Sequence, residues 1–194
     1  YLIVSDENMI GTPRLNMRMR SLYCGVGERM ARFHAAFDGR VTRAVLSIRS
    51  PERWWASAIA ALIPKGQTIP NERQLQSIVE SQRSWHDVVT DIACAMPGVD
   101  LEVAPYETFA GRPELKLQQL TEPMDNPPNK EARIWINNAP DLAALRELTK
   151  GRDDAHRLPS GEGRWTPFTE EQSAVLRERY SDDLFWLASG ADGL

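Results

Sequence analysis

VTRAVLSIRSPERWWASAIAALI, residues 41–63, is where apolar pattern and polar punctuation agree. Val45, Leu46 and Ile48, flanked by Val41 and Ala44, form a short apolar run that reads as a buried strand. Ser50 is a helix-capping residue type, and Pro51 suits a first helical position, where a missing N–H costs nothing. Trp54, Ala58, Ile59, Leu62 and Ile63 then recur at helical spacing along one face. Ser57 lies about 140° around that helix from the centre of the apolar face. Its angular position matches that of the helix start, next to Arg49. A fixed cation, a hydroxyl and unpaired backbone N–H groups at a helix N-terminus describe a site for a phosphate-like anion. The same residues also read as a surface arginine and a helix serine with no common ligand.

A chain of 194 residues is expected to form a single α/β domain over residues 1–194, with a sizeable core. Its 42% hydrophobic and 26% charged content is ordinary for a soluble protein. A net charge of -4 argues against a general nucleic-acid binder while leaving room for a local basic pocket. No apolar run has the length of a membrane span, and no signal peptide is evident. Cys24 and Cys94 are too few for a disulfide framework, and reduced thiols in a cytoplasmic protein are the expectation. His34 reads as a packed histidine, and His86 and His156 lack partner spacing, so no metal is expected.

Outward from the central unit, residues 1–4 read as a buried strand running into Ser5, Asp6, Glu7 and Asn8. Polar groups there suit an open α/β sheet, whose ligands bind beyond the strands' carboxyl ends. Arg14, Arg18 and Arg20 follow, either a basic rim for an anionic substrate or a solvated face. Helices are predicted over 28–37, 73–96, 113–120 and 141–150, with a further strand over 99–104. In the 141–150 helix, Leu142, Leu145 and Leu148 are expected to face inward. Residues 64–70, 121–131 and 151–163 read as loops, the first of a composition often mobile. Thr169 with Gln172 matches a capping box that opens a C-terminal helix through Leu187. Strands alternating with helices predict a parallel sheet flanked by helices.

Arg49 followed by Ser57, across a strand-to-helix turn with a proline between, resembles the 3′-phosphate signature of sulfotransferases that use 3′-phosphoadenylyl sulfate (PAPS). VAPYETFAGRPELKLQQL, residues 103–120, is similar to the family segment in which a strand ends in Tyr-Glu before a proline-opened helix. GEGRWTPFTEEQSAVLRERY, residues 161–180, resembles the family's late motif of glycine loop, Gly-x-Trp, Phe-Thr and a closing Tyr. The resemblance implies a P-loop-NTPase-like three-layer α/β fold, with Tyr106 against the adenine. It assigns the late loop's phosphate contact to Arg157, with Gly161 and Gly163 offering backbone N–H groups and Arg164 as the alternative. The family loop begins Arg-Lys-Gly, whereas this chain reads Arg157-Leu158-Pro159. The family's sulfate-binding loop has no counterpart here, so the resemblance implies a strand, loop and helix upstream of Tyr1.

The implied reaction is transfer of a sulfuryl group from PAPS to a hydroxyl or amine of a carbohydrate or small-molecule acceptor, without metal. Sulfuryl transfer, like phosphoryl transfer, is an in-line displacement that needs an acceptor base and positive charge for the leaving oxygen. Glu7, then Asp6, is the expected base, a carboxylate whose pKa partial burial would raise. The alternative for both is a capping role in the next turn. A second class of function is a nucleotide-binding or interaction module without turnover.

Overall fold

Two parallel strands, β1 (Arg43–Ile48) and β2 (Asp100–Pro105), pair from Arg43↔Asp100 to Ile48↔Pro105. Around them a computed structural model of the chain describes residues 2–121, 134 and 138–194. Helices α1 (Pro13–Met19) and α2 (Val26–Ala36) precede β1. The crossover between the strands carries α3 (Pro51–Leu62), α4 (Glu72–Glu80) and α5 (Trp85–Ala95). After β2 come α6 (Tyr106–Phe109), α7 (Pro113–Leu120), α8 (Leu142–Leu148) and α9 (Glu170–Ala188). Parallel neighbours need such a helical crossover, and the mixed α/β class follows directly from the pattern of residues 41–104.

α2 packs on α5, while α9 packs on α3, α4 and α5. Ile48, Ile59, Ile63, Trp85 and Val88 are nearly devoid of solvent contact at the centre of the core. On α3 the buried tryptophan is Trp55; Trp54 is half-buried and packs edge-on against it at 4.8 Å.

Residues 1–4 were expected to add a buried strand. Instead Leu2 is 79% exposed and Ile3 and Val4 about half exposed, outside the sheet. The sheet among the described residues is two-stranded, which accounts for the α/β class without the additional strands of a three-layer fold.

The single helix expected over 73–96 is two. Ser84 starts a new helix with a capping box, its hydroxyl accepting the His86 N–H at 3.1 Å while Asp87 accepts the Ser84 N–H at 2.8 Å. The interruption frees Arg83 to donate to the carbonyls of Leu22 (2.5 Å) and Tyr23 (3.2 Å), tying the end of α1's loop to α5. In α8, Leu142 and Leu145 are buried as expected, but Leu148 is 56% exposed. The helix ends there, and the adjacent Thr149 is buried in its place, its hydroxyl donating to the Leu145 carbonyl at 2.8 Å. Residues 121–131 lie, apart from Thr121, outside the described residues.

The 64–70 segment is clamped rather than loose. Ile69 is wholly buried, and its N–H donates to Asp154 at 2.7 Å. Arg152 donates to the Gln67 carbonyl at 2.9 Å and grips Asp154 through both ends of its guanidinium, at 2.9 and 2.8 Å. That guanidinium holds the Asp154 carboxyl below the usual carboxylate range. A carboxyl depressed in the folded state stabilises the fold above its unfolded pKa, and this contribution disappears as pH falls through the folded value. Asp154→Ala should therefore cost about 2–3 kcal/mol at neutral pH. Urea melts below about pH 4 should show the deficit shrinking; a pH-independent deficit would contradict the assignment.

Candidate functional site

Because Ile48 pairs with Pro105, Arg49 and Tyr106 leave the sheet together at the carboxyl ends of adjacent parallel strands. This is the edge where open α/β sheets bind ligands. The Arg49 guanidinium carbon lies 5.1 Å from the centre of the Tyr106 ring, a cation–π contact. The Arg49 carbonyl accepts the indole N–H of the buried Trp85 at 2.8 Å, which fixes the backbone at the strand end. Arg49 Nε is buried and has no hydrogen-bond partner among the described residues.

Burial pulls the pKa of Arg49 below its ordinary value, and the nearby Arg164 adds to this. Tyr106 and Glu107 oppose the shift, and Arg53 contributes weakly in the same direction as Arg164. A guanidinium remains charged regardless. Arg49 and Arg164 thus share one locality, with a buried donor left unsatisfied. Like charges held together repel unless an anion lies between them. The strand end thus carries two guanidinium groups and one aromatic ring, with the Glu107 carboxylate offsetting part of the positive charge.

Three of the residues singled out in the sequence are therefore gathered here: Arg49, Tyr106 and Arg164. The others are placed differently. Ser57 is half-buried on α3, and its hydroxyl makes no hydrogen bond to a described residue. It shares a direction with the start of α3 but lies seven residues along it, roughly 10 Å up the axis. Angular coincidence alone therefore does not bring Ser57 to Arg49.

Arg157 donates to the Ile69 carbonyl at 2.6 Å, so it serves the clamp on the 64–70 segment and is already engaged. Gly161 and Gly163 have φ of 127° and 85°, where a Cβ would be strained. The Gly163 carbonyl accepts the Leu142 N–H at 2.8 Å and so fixes the start of α8, while neither glycine N–H donates to a described group.

The start of α3 also differs from expectation. Ser50 sits at the N-cap without capping through its side chain; its hydroxyl donates to the carboxylate of Glu52 instead. Glu52 is 6% exposed, so this helix N-terminus already holds a negative charge of its own. The capacity for a further anion resides in the arginines.

Asp6 and Glu7 are solvent-exposed, and Asp6 accepts the Asn8 N–H at 2.6 Å in a local turn. The partial burial expected of a base is absent at both, because the strand that would have carried them inward does not form.

Glu107 and Tyr180 join the site without having been singled out as site residues. The Tyr180 hydroxyl is buried without a partner among the described residues. Burial pushes its pKa upward, and the carboxylates of Glu107, Asp183 and Glu52 push it further. Glu107 is signalled only by adjacency to Tyr106, and Tyr180 only by closing the 161–180 segment. Among the described residues, no group of three or more His, Cys, Asp or Glu is placed to hold a metal ion. No described helix is long and apolar enough to cross a membrane.

No family model, curated protein or solved structure matches the chain.

Proposed function

We propose that the chain binds a 3′-phosphorylated adenine nucleotide and acts as a sulfotransferase. It would move a sulfuryl group from PAPS to a hydroxyl or amine of a carbohydrate or small-molecule acceptor. The observation that carries this reading is the Arg49 guanidinium 5.1 Å from the centre of the Tyr106 ring at the strand ends, with Arg49 Nε buried and unsatisfied among the described residues. The two guanidinium groups supply charge for a phosphate, and the tyrosine supplies a flat face for a base. On this reading, β1 and β2 are the nucleotide-carrying part of a P-loop-NTPase-like three-layer fold.

Arg49 and Arg164 would hold the nucleotide's phosphate and Tyr106 its adenine. The donor brings the sulfuryl group, and the chain's contribution is orientation and charge. A second reading, a nucleotide-binding module without turnover, is favoured by the exposure of Asp6 and Glu7, which removes the expected acceptor base.

Adenosine 3′,5′-bisphosphate tests the shared part of both readings. At a hundred times its Kd it should stabilise the fold by about 2.7 kcal/mol, or roughly 5–10 °C for a chain of this length. Adenosine 5′-monophosphate, lacking the 3′-phosphate, should give a clearly smaller shift at the same concentration. Equal shifts, or none, would overturn the nucleotide assignment. Transfer of label from PAPS to any of a panel of alcohols, amines and sugars supports the enzyme; tight nucleotide binding without transfer supports the module.

A further inference from the structure

Away from the strand ends, α1, α4 and the clamped segment 67–70 border a half-open cavity of about 520 Å³. This is within the range of small-ligand sites, about 300–1,000 Å³. Among the described residues, Arg14, Arg18 and Arg20 line it together with Thr12, Thr68 and Gln74, and no carboxylate or aromatic ring contributes to the wall. In a chain with 27 acidic and 23 basic residues, three arginines on an acid-free concave wall are a local reversal of charge.

The arginines are held there against local preference. Arg14 and Arg18 stand four apart on α1, where like charges repel across one helical turn. Arg20 closes α1 in the left-handed conformation, φ 51° and ψ 37°, which glycine or asparagine adopts at far lower cost. Arg14 donates to the Lys65 carbonyl at 3.1 Å. The Arg18 and Arg20 guanidinium groups have neither a hydrogen bond nor an ion pair to any described residue, while the Arg20 backbone N–H donates to the Asn16 carbonyl. The Gln74 carbonyl oxygen is used by the Asn71 N–H, which leaves its amide as a donor toward the cavity.

We propose that this cavity binds a small sugar carrying two or more anionic groups. The guanidinium groups match carboxylate, sulfate or phosphate oxygens, and the threonine hydroxyls and glutamine amide match sugar hydroxyls. The absence of an aromatic ring from the wall removes the stacking surface that a nucleotide base uses, and the volume exceeds that of a single inorganic anion. The site shares no residue with the strand-end cluster and stands independently of the sulfotransferase reading.

Isothermal titration of the full chain with four probes tests it: a heparin-derived disulfated disaccharide, fructose 1,6-bisphosphate, maltose and sodium sulfate. One of the two acidic sugars should bind at least about tenfold more tightly than maltose or sulfate. Which one binds distinguishes a sulfated or uronic sugar from a phosphorylated one. The double variant Arg18→Ala with Arg20→Ala should lose that binding about tenfold or more. Its melting temperature and its response to adenosine 3′,5′-bisphosphate should stay at wild-type values. Absence of binding by both acidic sugars, equal binding of maltose or sulfate, or undiminished binding by the double variant would each overturn the proposal. Failure of the adenosine bisphosphate response alone would leave it standing.

Discussion

Replacing Arg49 with alanine is expected to weaken adenosine 3′,5′-bisphosphate binding by about 10–100-fold while leaving the unliganded fold nearly as stable as before. The affinity loss follows from removing a charge-assisted contact, about 1.5–3 kcal/mol, at about 1.4 kcal/mol per tenfold. The small stability effect follows from cancellation. Alanine forfeits the 5.1 Å contact with Tyr106, yet it also removes a partly buried cation from beside Arg164 and eliminates the unsatisfied Nε. Arg49→Lys should recover only part of the affinity, since an ammonium keeps the charge but not the forked donor geometry. Titration calorimetry with matched melts separates the two effects. An Arg49→Ala protein that binds the nucleotide with wild-type affinity would remove Arg49 from the site. A protein that instead loses several kcal/mol of stability would recast Arg49 as a packing residue.

The parts of this molecule that sequence reveals are those set by neighbours along the chain. β1, α3 with its Pro51 start, and the Thr169–Gln172 capping box all depend on contacts within a few residues. The break between α4 and α5 is also local, since Ser84 and Asp87 form a capping box visible in the sequence. Apolar spacing continues across it and conceals it. What sequence does not reveal is decided at a distance. Register places Arg49 beside Tyr106, 57 positions later, by pairing Ile48 with Pro105. Arg157 is drawn from the site by the Ile69 carbonyl, 88 residues away. Ser57 shows the limit of angular reasoning, because rotation around a helix carries no information about the translation that accompanies it. Residues 2–4 have a strand's composition, but composition does not supply a neighbouring strand with which to pair.

The largest loss of stability is expected at Asp183, far along the chain from the strand ends but connected to them. Its carboxylate is 3% exposed and accepts the Ser84 hydroxyl at 2.6 Å, the Trp85 N–H at 3.1 Å and the His86 N–H at 3.1 Å. α9 thereby caps the N-terminus of α5, where a negative charge is favourable. Alanine would leave the Ser84 hydroxyl and the Trp85 N–H buried without this acceptor, while the His86 N–H keeps the Ser84 hydroxyl, costing about 3–5 kcal/mol, or roughly 6–20 °C in melting temperature. Asparagine keeps one acceptor oxygen and should lose about half as much. The consequence reaches the site because Trp85, whose N–H Asp183 fixes, pins the Arg49 carbonyl through its indole N–H. Trp85→Phe isolates that last link: it retains the ring and removes the donor, at a cost of about 1 kcal/mol. If Asp183 acts on the site through Trp85, then Asp183→Asn and Trp85→Phe, both still folded, should each weaken adenosine 3′,5′-bisphosphate several-fold. A stability loss with nucleotide affinity untouched in both would confine Asp183 to holding α5 against α9 and leave Arg49 positioned by the sheet alone.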